Sequence, residues 1–186
     1  NGQYVLFDAP LGVGQFLQRW AGYRLAGLFL THGHYDHILG IADVPAGTQI
    51  FAHEGDRKLY ARPQVMSAWM HPAQAAQLQP VPVGHWLQDG QTLEPLPGLK
   101  MQVLYTPGHS PGGVVFHFPA LQAAVVGDAV FSGSIGRTDL PGGNLDELLQ
   151  SIHAQILTLP DATVLYCGHG PTTTVGEERV SNEFLV

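Results

Sequence analysis

The sequence predicts a layered α/β fold, and three observations point to it. Four short apolar runs of buried-strand character each lead through a Gly-containing turn to His or Asp. They are Leu28-Phe29-Leu30 before Thr31-His32-Gly33-His34, Val103-Leu104-Tyr105 before Thr106-Pro107-Gly108-His109, Ala124-Val125-Val126 before Gly127-Asp128, and Val164-Leu165-Tyr166 before Cys167-Gly168-His169. Between strand-like runs lie segments with helical apolar spacing, suited to covering a sheet face. Polar groups just past strand ends are, finally, where layered α/β folds build their sites.

Taken in order, Tyr4-Val5-Leu6-Phe7 reads as a core strand ending at Asp8-Ala9-Pro10. From Gly14 to Arg24, Phe16, Leu17 and Trp20 carry helical spacing and would pack on one sheet face. Ala26 to Leu30 is the strand feeding the first His-rich loop, and His37-Ile38-Leu39-Gly40 opens a short helix. Thr48 to Ala52 is a further strand, followed by His53, for which a structural or ligand-supporting role is expected, and by a short helix from Asp56 to Ala61. The stretch 62–82 is the least regular. It reads as a surface helix and loop or, because Met66, Trp69 and Met70 suit an adaptable apolar pocket, as a flap over a site. Asp89-Gly90 is a turn of hairpin type. Gly112 to Phe118 is a strand with rough alternation in which His117 is expected to be packed. Asn144 caps a helix through Leu159, with Asp146 and Glu147 in its first turn and a stripe of Leu145, Leu148, Leu149, Ile152 and Ile156. The runs of strands followed by helices suggest two similar halves, and residues 1–186 read as a single domain opening at Asn1 in place of Met, which leaves room for a trimmed N-terminus.

The loop Thr31 to His37 places His32, His34, Asp36 and His37 within six positions. Protonated imidazoles crowded this closely would repel one another, whereas a bound cation takes the neutral and anionic forms. Positions i, i+2, i+4 and i+5 scatter around a helical cylinder, so the four are expected on a loop, with Gly33 giving the backbone freedom to converge. With the later stretches the candidates total five His and two Asp, an open set rich in nitrogen and oxygen and free of thiolate. Such donors suit zinc first, with iron or manganese also accommodated.

Composition bounds the alternatives. The chain has 186 residues, 45% hydrophobic, enough for one sizeable core. Net charge is −7, with 8 basic against 15 acidic side chains, so no basic stripe for nucleic acid is present. One cysteine, Cys167, excludes an intramolecular disulfide and reads as a small buried thiol rather than a ligand. No apolar stretch is long enough to span a bilayer, and no signal-like segment opens the chain. A soluble, cytoplasmic protein acting on a small molecule is the resulting expectation, with neither nucleic acid nor membrane as a partner.

His32-Gly33-His34-Tyr35-Asp36-His37, then Thr106-Pro107-Gly108-His109-Ser110-Pro111-Gly112-Gly113, then Gly127-Asp128-Ala129-Val130-Phe131, and finally Cys167-Gly168-His169-Gly170 resemble the metallo-β-lactamase superfamily. Within it, Phe131 to Asp139 and Gly170 to Glu178 are similar to the short, single-domain glyoxalase II-like hydrolases. The resemblance implies a four-layer αββα sandwich with a dinuclear site at one edge. It implies His32, His34 and His109 on one divalent transition metal, Asp36, His37 and His169 on the other, and Asp128 bridging. Solvent shared by two such ions would be hydroxide near neutral pH, with Asp36 and Asp128 beside it as catalytic carboxylates. A thioester of the hydroxyacylglutathione type is the substrate that the resemblance implies, since its thiolate leaves without a strong acid. Ser110 and Ser132 are then structural. Glutathione persulfide oxygenation at one iron is the alternative, and lactone hydrolysis the next. A β-lactamase is disfavoured because the resemblance gives those enzymes no bridging Asp. A non-enzymatic metal module is disfavoured by the open donor set. Arg137, nine residues beyond Asp128 on a Gly-rich loop, either grips a substrate carboxylate or pairs with a protein carboxylate.

Overall fold

The computed structural model describes residues 2–186, arranged as two β-sheets packed face to face with helices on both outer sides. The first sheet is parallel throughout. Its strands β1 (Gln3–Phe7), β2 (Arg24–Phe29), β3 (Ile50–His53) and β4 (His85–Leu87) lie in sequential order. Parallel neighbours need crossovers. These are supplied by α1 (Val13–Gln18) after β1, by α2 (Tyr35–Ile38) after β2, and by α3 (Arg57–Ala61) and α4 (Pro72–Ala75) after β3, with a 3₁₀ stretch Pro63–Trp69 between the last two.

The second sheet is mixed. The strands β5 (Thr92–Leu96), β6 (Leu99–Tyr105), β7 (Val114–Phe118) and β8 (Ala123–Gly127) form an antiparallel meander. A small hairpin of β9 (Val130–Phe131) and β10 (Ser134–Ile135) follows, then α5 (Leu145–Ser151), which continues as a wider π turn over Ile152–Ile156. Strand β11 (Val164–Cys167) returns parallel to β8, and β12 (Thr173–Thr174) closes that edge before α6 (Val175–Ser181). The resulting order is β12-β11-β8-β7-β6-β5.

Three apolar cores correspond to the three interfaces of a four-layer α/β sandwich. Side-chain alternation divides them: Leu28 and Leu30 pack outward with Val13, Leu17, Ile38 and Tyr60, while Phe29 between them faces the other sheet. The inter-sheet core joins Phe29 with Met101, Val103, Val114, Phe116 and Phe118. Phe29 stacks on Phe51 at 4.5 Å and meets Phe116 edge-on at 5.7 Å, favourable arrangements for aromatic quadrupoles. The third core lies under α5 and α6, where Leu148, Ile152, Ile156 and Val175 cover Ala124, Val126 and Leu165. Strand β7 is buried along its whole length rather than alternating, and its His117 is buried with Nδ1 3.2 Å from Gln102 Oε1.

Four sequence expectations are corrected. The first helix ends at Gln18 and buries Val13 and Leu17, whereas Phe16 and Trp20 are exposed. Trp20 lies in the turn beyond the helix, so helical spacing did not put it on the packed face. Asp89-Gly90 does not close a hairpin: β4 pairs with β3 and β5 with β6, so this turn carries the chain from one sheet to the other. Leu145 is exposed because it sits in the first turn of α5, outside the Leu148, Ile152, Ile156 row that meets the sheet. The short helix after β2 begins at Tyr35 rather than at His37.

Candidate metal centre

Strands β2, β6, β8 and β11 deliver their C-terminal loops to one edge of the sandwich. Val114 N donates to Thr31 O at 2.9 Å across the two sheets, fastening the first loop to the second sheet. Beyond β2 the chain bends at Thr31 and is extended at His34, and it brings His32 and His34 into one group of donors. Asp36 and His37 then fall in the first turn of α2, so a loop and a helical turn share the task that sequence reasoning gave to a loop alone.

Two groups of donor atoms result, each lying within 4.8 Å of one another: His32, His34 and His109, and Asp36, His37, Asp128 and His169. In the first, His34 Nδ1 is 2.8 Å and His32 Nε2 3.2 Å from His109 Nε2. Burial, and then neighbouring imidazoles, hold His32 well below the ordinary imidazole range; burial, with His109 beside it, brings His34 down to about 3. Burial lowers His109 as well. These rings are therefore neutral at pH 7, with lone pairs free for a cation.

In the second group His169 Nε2 is 3.1 Å from Asp36 Oδ2 and 3.5 Å from Asp128 Oδ2. Asp128 touches both groups, its Oδ2 being 3.6 Å from His109 Nε2 and its Oδ1 3.2 Å from His37 Nε2. Burial would raise the Asp128 carboxyl, but His37, His109 and His169 hold it below its usual range. His37 Nε2 and Asp128 Oδ1 are nevertheless buried without a hydrogen-bond partner, their approach being misaligned for one. Two orphaned buried atoms facing each other are costly unless a cation lies between them, so the donor set fits metal ions. Gly168 keeps this cradle open: a Cβ there would run into Asp128 Oδ1 and lie 2.8 Å from His37 Cε1.

Other groups orient the rings. Asp8, with φ 57°, accepts from Thr31 N at 2.7 Å and from Thr31 Oγ1 at 2.8 Å, and its Oδ2 lies 2.7 Å from His37 Nδ1. Although burial lowers His37, Asp8 and Asp128 outweigh it and raise its pKa. His109 Nδ1 lies 2.7 Å from the carbonyl of Arg137, which places its proton there and leaves Nε2 as the donor atom. Asp56, 1% exposed, accepts from Gly33 N, Ser110 Oγ and Gly112 N. Sequence reasoning passed over Asp8 and Asp56. Asp8 had a readable signal, since it follows β1 as the ligand candidates follow their strands; Asp56 had none.

Beside the donors lies a cavity of 280 Å³ lined by His34, Tyr35, Asp36, Trp69, His109, Asp128, Phe131, Arg137, Leu140 and His169. Trp69 brings the irregular 62–82 segment to its wall, while Met66 is buried beneath with Leu59 and Leu140. Arg137 borders the cavity, but its exposed guanidinium is engaged by Asp139 through Nε–Oδ1 and Nη2–Oδ2 contacts of 2.7 Å each. His53 stacks on Tyr105 at 4.2 Å and accepts from Gly55 N, a structural role. Cys167 is half-buried, and burial pushes its thiol up to about 11.

The model of the metallo-beta-lactamase superfamily matches residues 1–169, the stretch that holds every donor above. The chain belongs to this superfamily. Among its relatives, the hydroxyacylglutathione hydrolase GloC of Haemophilus influenzae is 36% identical over 87% of this chain and 76% of its own length. Two solved metallo-beta-lactamase-fold structures superpose with a TM-score of 0.84: TTHA1623 in a di-iron-bound form, 34% identical over 97% of this chain and 89% of that one, and the B3 metallo-beta-lactamase BLEG-1, 33% identical over 98% and 88%. The superfamily assignment makes the two donor groups a candidate two-metal site of a hydrolase, and the di-iron neighbour means that the fold does not fix the metal as zinc. Among the described residues no helix is long and apolar enough to cross a membrane.

Proposed function

We propose that the chain is a thioester hydrolase of the hydroxyacylglutathione hydrolase type that works with two divalent transition metals. The observation that carries this reading is the Asp128 carboxylate, whose two oxygens reach His37 at 3.2 Å and His109 at 3.6 Å and so span both donor groups. His32, His34 and His109 would hold one ion, Asp36, His37 and His169 the other, and Asp128 both. When bound, two such ions supply Lewis acidity toward a carbonyl and a nucleophilic water at neutral pH.

The chain's own residues do the rest. Asp36 and Asp128 orient the attacking water, and Asp36, which is open to the cavity, takes its proton. Apart from the donors, Tyr35, Trp69, Phe131, Leu140 and Arg137 wall the cavity, so a leaving group could be protonated there only by Asp36, once it carries the water's proton, or by the Tyr35 hydroxyl. A thiolate departs without that help, which favours a thioester over an amide. No side chain offers covalent catalysis either: the Ser110 hydroxyl is buried on Asp56, and Cys167 is a protonated thiol. Likeness to GloC supports the same substrate class.

A second reading, oxygenation of a persulfide at a single iron, draws on the unequal burial of the two groups. His32, His34 and His109 are buried, whereas the side chains of Asp36 and His169 are 36% and 56% exposed. The deciding experiment incubates one metal-analysed preparation with a hydroxyacylglutathione thioester, with glutathione persulfide under an oxygen electrode, with a lactone, and with a cephalosporin. Thioester turnover should dominate. Oxygen uptake with an inert thioester would overturn the hydrolase reading, and dominant lactone or cephalosporin cleavage would overturn the thioester assignment.

A further inference from the structure

Asp56 is the most deeply buried carboxylate that is not itself a candidate ligand and yet bears on the centre. It stands at the end of a 3₁₀ turn, Glu54–Asp56, after β3, and is not among the donor atoms of either group. All three groups that donate to it belong to loops carrying histidines of the first group. Gly33 N, at 2.7 Å from Oδ2, lies between His32 and His34. Ser110 Oγ, at 2.8 Å from Oδ2, is next to His109, and Gly112 N, at 2.7 Å from Oδ1, is three residues beyond it. These loops are far apart in sequence, and one carboxylate fastens both.

Backbone packing leaves little slack around these bonds. A Cβ on Gly112 would lie 2.6 Å from Asp56 Cγ, and one on Gly33 would lie 2.8 Å from Leu59 Cβ. The loop after His109 thus rests directly on the Asp56 backbone. The second group is oriented by a different carboxylate, Asp8, through His37; Asp8 also reaches His32 of the first group, through Thr31 Oγ1 at 3.0 Å from His32 Nδ1, but touches neither His34 nor the His109 loop.

We propose that Asp56 is a positioning residue for the three-histidine metal site: it sets the separation of the loop bearing His32 and His34 from the loop bearing His109. This rests on the two-ion reading above. In this assignment Asp56 governs the first ion and leaves the second untouched. Replacing it with Asn puts an amide N–H against a backbone or hydroxyl donor, so one loop is released while the local volume is kept.

The test is cobalt(II) titration, followed by ligand-field absorption and by competition with a chromophoric chelator. It is run on wild type and in two backgrounds: Asp36→Ala/His37→Ala, which leaves the three-histidine group, and His34→Ala, which leaves the other. Asp56→Asn should weaken cobalt binding about 10–100-fold in the first background, the scale for groups that orient ligands, and stay within about threefold in the second. The cobalt spectrum should change in the first background alone. Wild type taking up fewer than two ions would overturn the two-ion reading and this proposal together. Two ions in wild type, with Asp56→Asn lowering both sites equally or neither, would overturn the proposal alone. If Asp56→Asn does not fold, Ser110→Ala decides, because it removes one donor and keeps the Gly33 and Gly112 bonds. A smaller loss confined to the three-histidine background supports the proposal, and unchanged affinity overturns it.

Discussion

Substitution Asp8→Asn separates ring orientation from metal ligation. Asp8 adopts a left-handed backbone with φ 57°, which Asn tolerates, so the change is isosteric and adds no backbone strain. Its Oδ1 accepts from Thr31 N, which can only donate, so the oxygen of the new carboxamide must stay there. The amide NH₂ then takes the place of Oδ2, facing Thr31 Oγ1 and His37 Nδ1. The hydroxyl can rotate to accept. The imidazole accepts only by moving its proton from Nδ1 to Nε2, the atom 3.2 Å from Asp128 Oδ1 that would bind the second ion. Loss of one such orienting group costs about 10–100-fold in metal affinity, or about 1.4–2.7 kcal/mol. The fold should lose only about 1 kcal/mol, because each bond is remade in neutral form. Chelator competition measures the affinity of each ion, and long-range ¹H–¹⁵N correlation of metal-free protein, taken above the raised His37 value where the ring is neutral, reads the His37 tautomer. An unchanged tautomer, or a loss at the three-histidine group instead, would refute this reasoning.

Other outcomes follow from the same geometry. Because Asp139 already occupies two of its donors, Arg137→Gln should lower kcat/KM equally for anionic and neutral thioesters if the pair only shapes the loop; a selective loss of about 1.5–3 kcal/mol on a carboxylate-bearing thioester would instead mark it as a substrate group. Leu148→Ala, at a fully buried position between α5 and its sheet, should cost about 3 kcal/mol in denaturant unfolding, and a cost under about 1 kcal/mol would contradict the packing given it. Metal-free protein should lose stability on acidification. His32, His34 and His109 are held below the ordinary imidazole value, so the unfolded chain takes up protons below about pH 6.5 that the folded chain refuses until much lower, about 3 for His34. The raised His37 acts oppositely, its contribution being present below about pH 6.5 and lost as pH rises through its folded value. A melting temperature that stays level or rises from pH 6.5 to 4 after chelation would contradict these directions.

Much of this was legible in the sequence because chemistry sits at strand ends. A strand ending in a turn and a His or Asp is readable at His109, Asp128 and His169, and the structure gathers all three. The αββα layering came with the resemblance, and the cores match it: Phe29 and its neighbours Leu28 and Leu30 divide between two faces as a doubly buried strand requires. Sequence periodicity failed where an element was short. Six residues of α1 could not carry Trp20 onto the buried face, and an Asp-Gly turn looks alike whether it joins paired strands or, as at Asp89-Gly90, two sheets. Asp56 was illegible because its meaning lies in three donors from 23 to 56 residues away. Arg137 was legible as an important position, but its backbone carbonyl, not its charge, makes the contact with His109.

In the proposed centre Asp128 joins the two donor groups around two ions. Metal content per chain, determined by elemental analysis after saturation and exhaustive dialysis of wild type and Asp128→Asn, tests it most directly. Near two ions per chain in wild type, and a clear drop in Asp128→Asn, is the predicted result. A wild type that saturates near one ion, or an Asp128→Asn variant that keeps two at undiminished affinity, would contradict it.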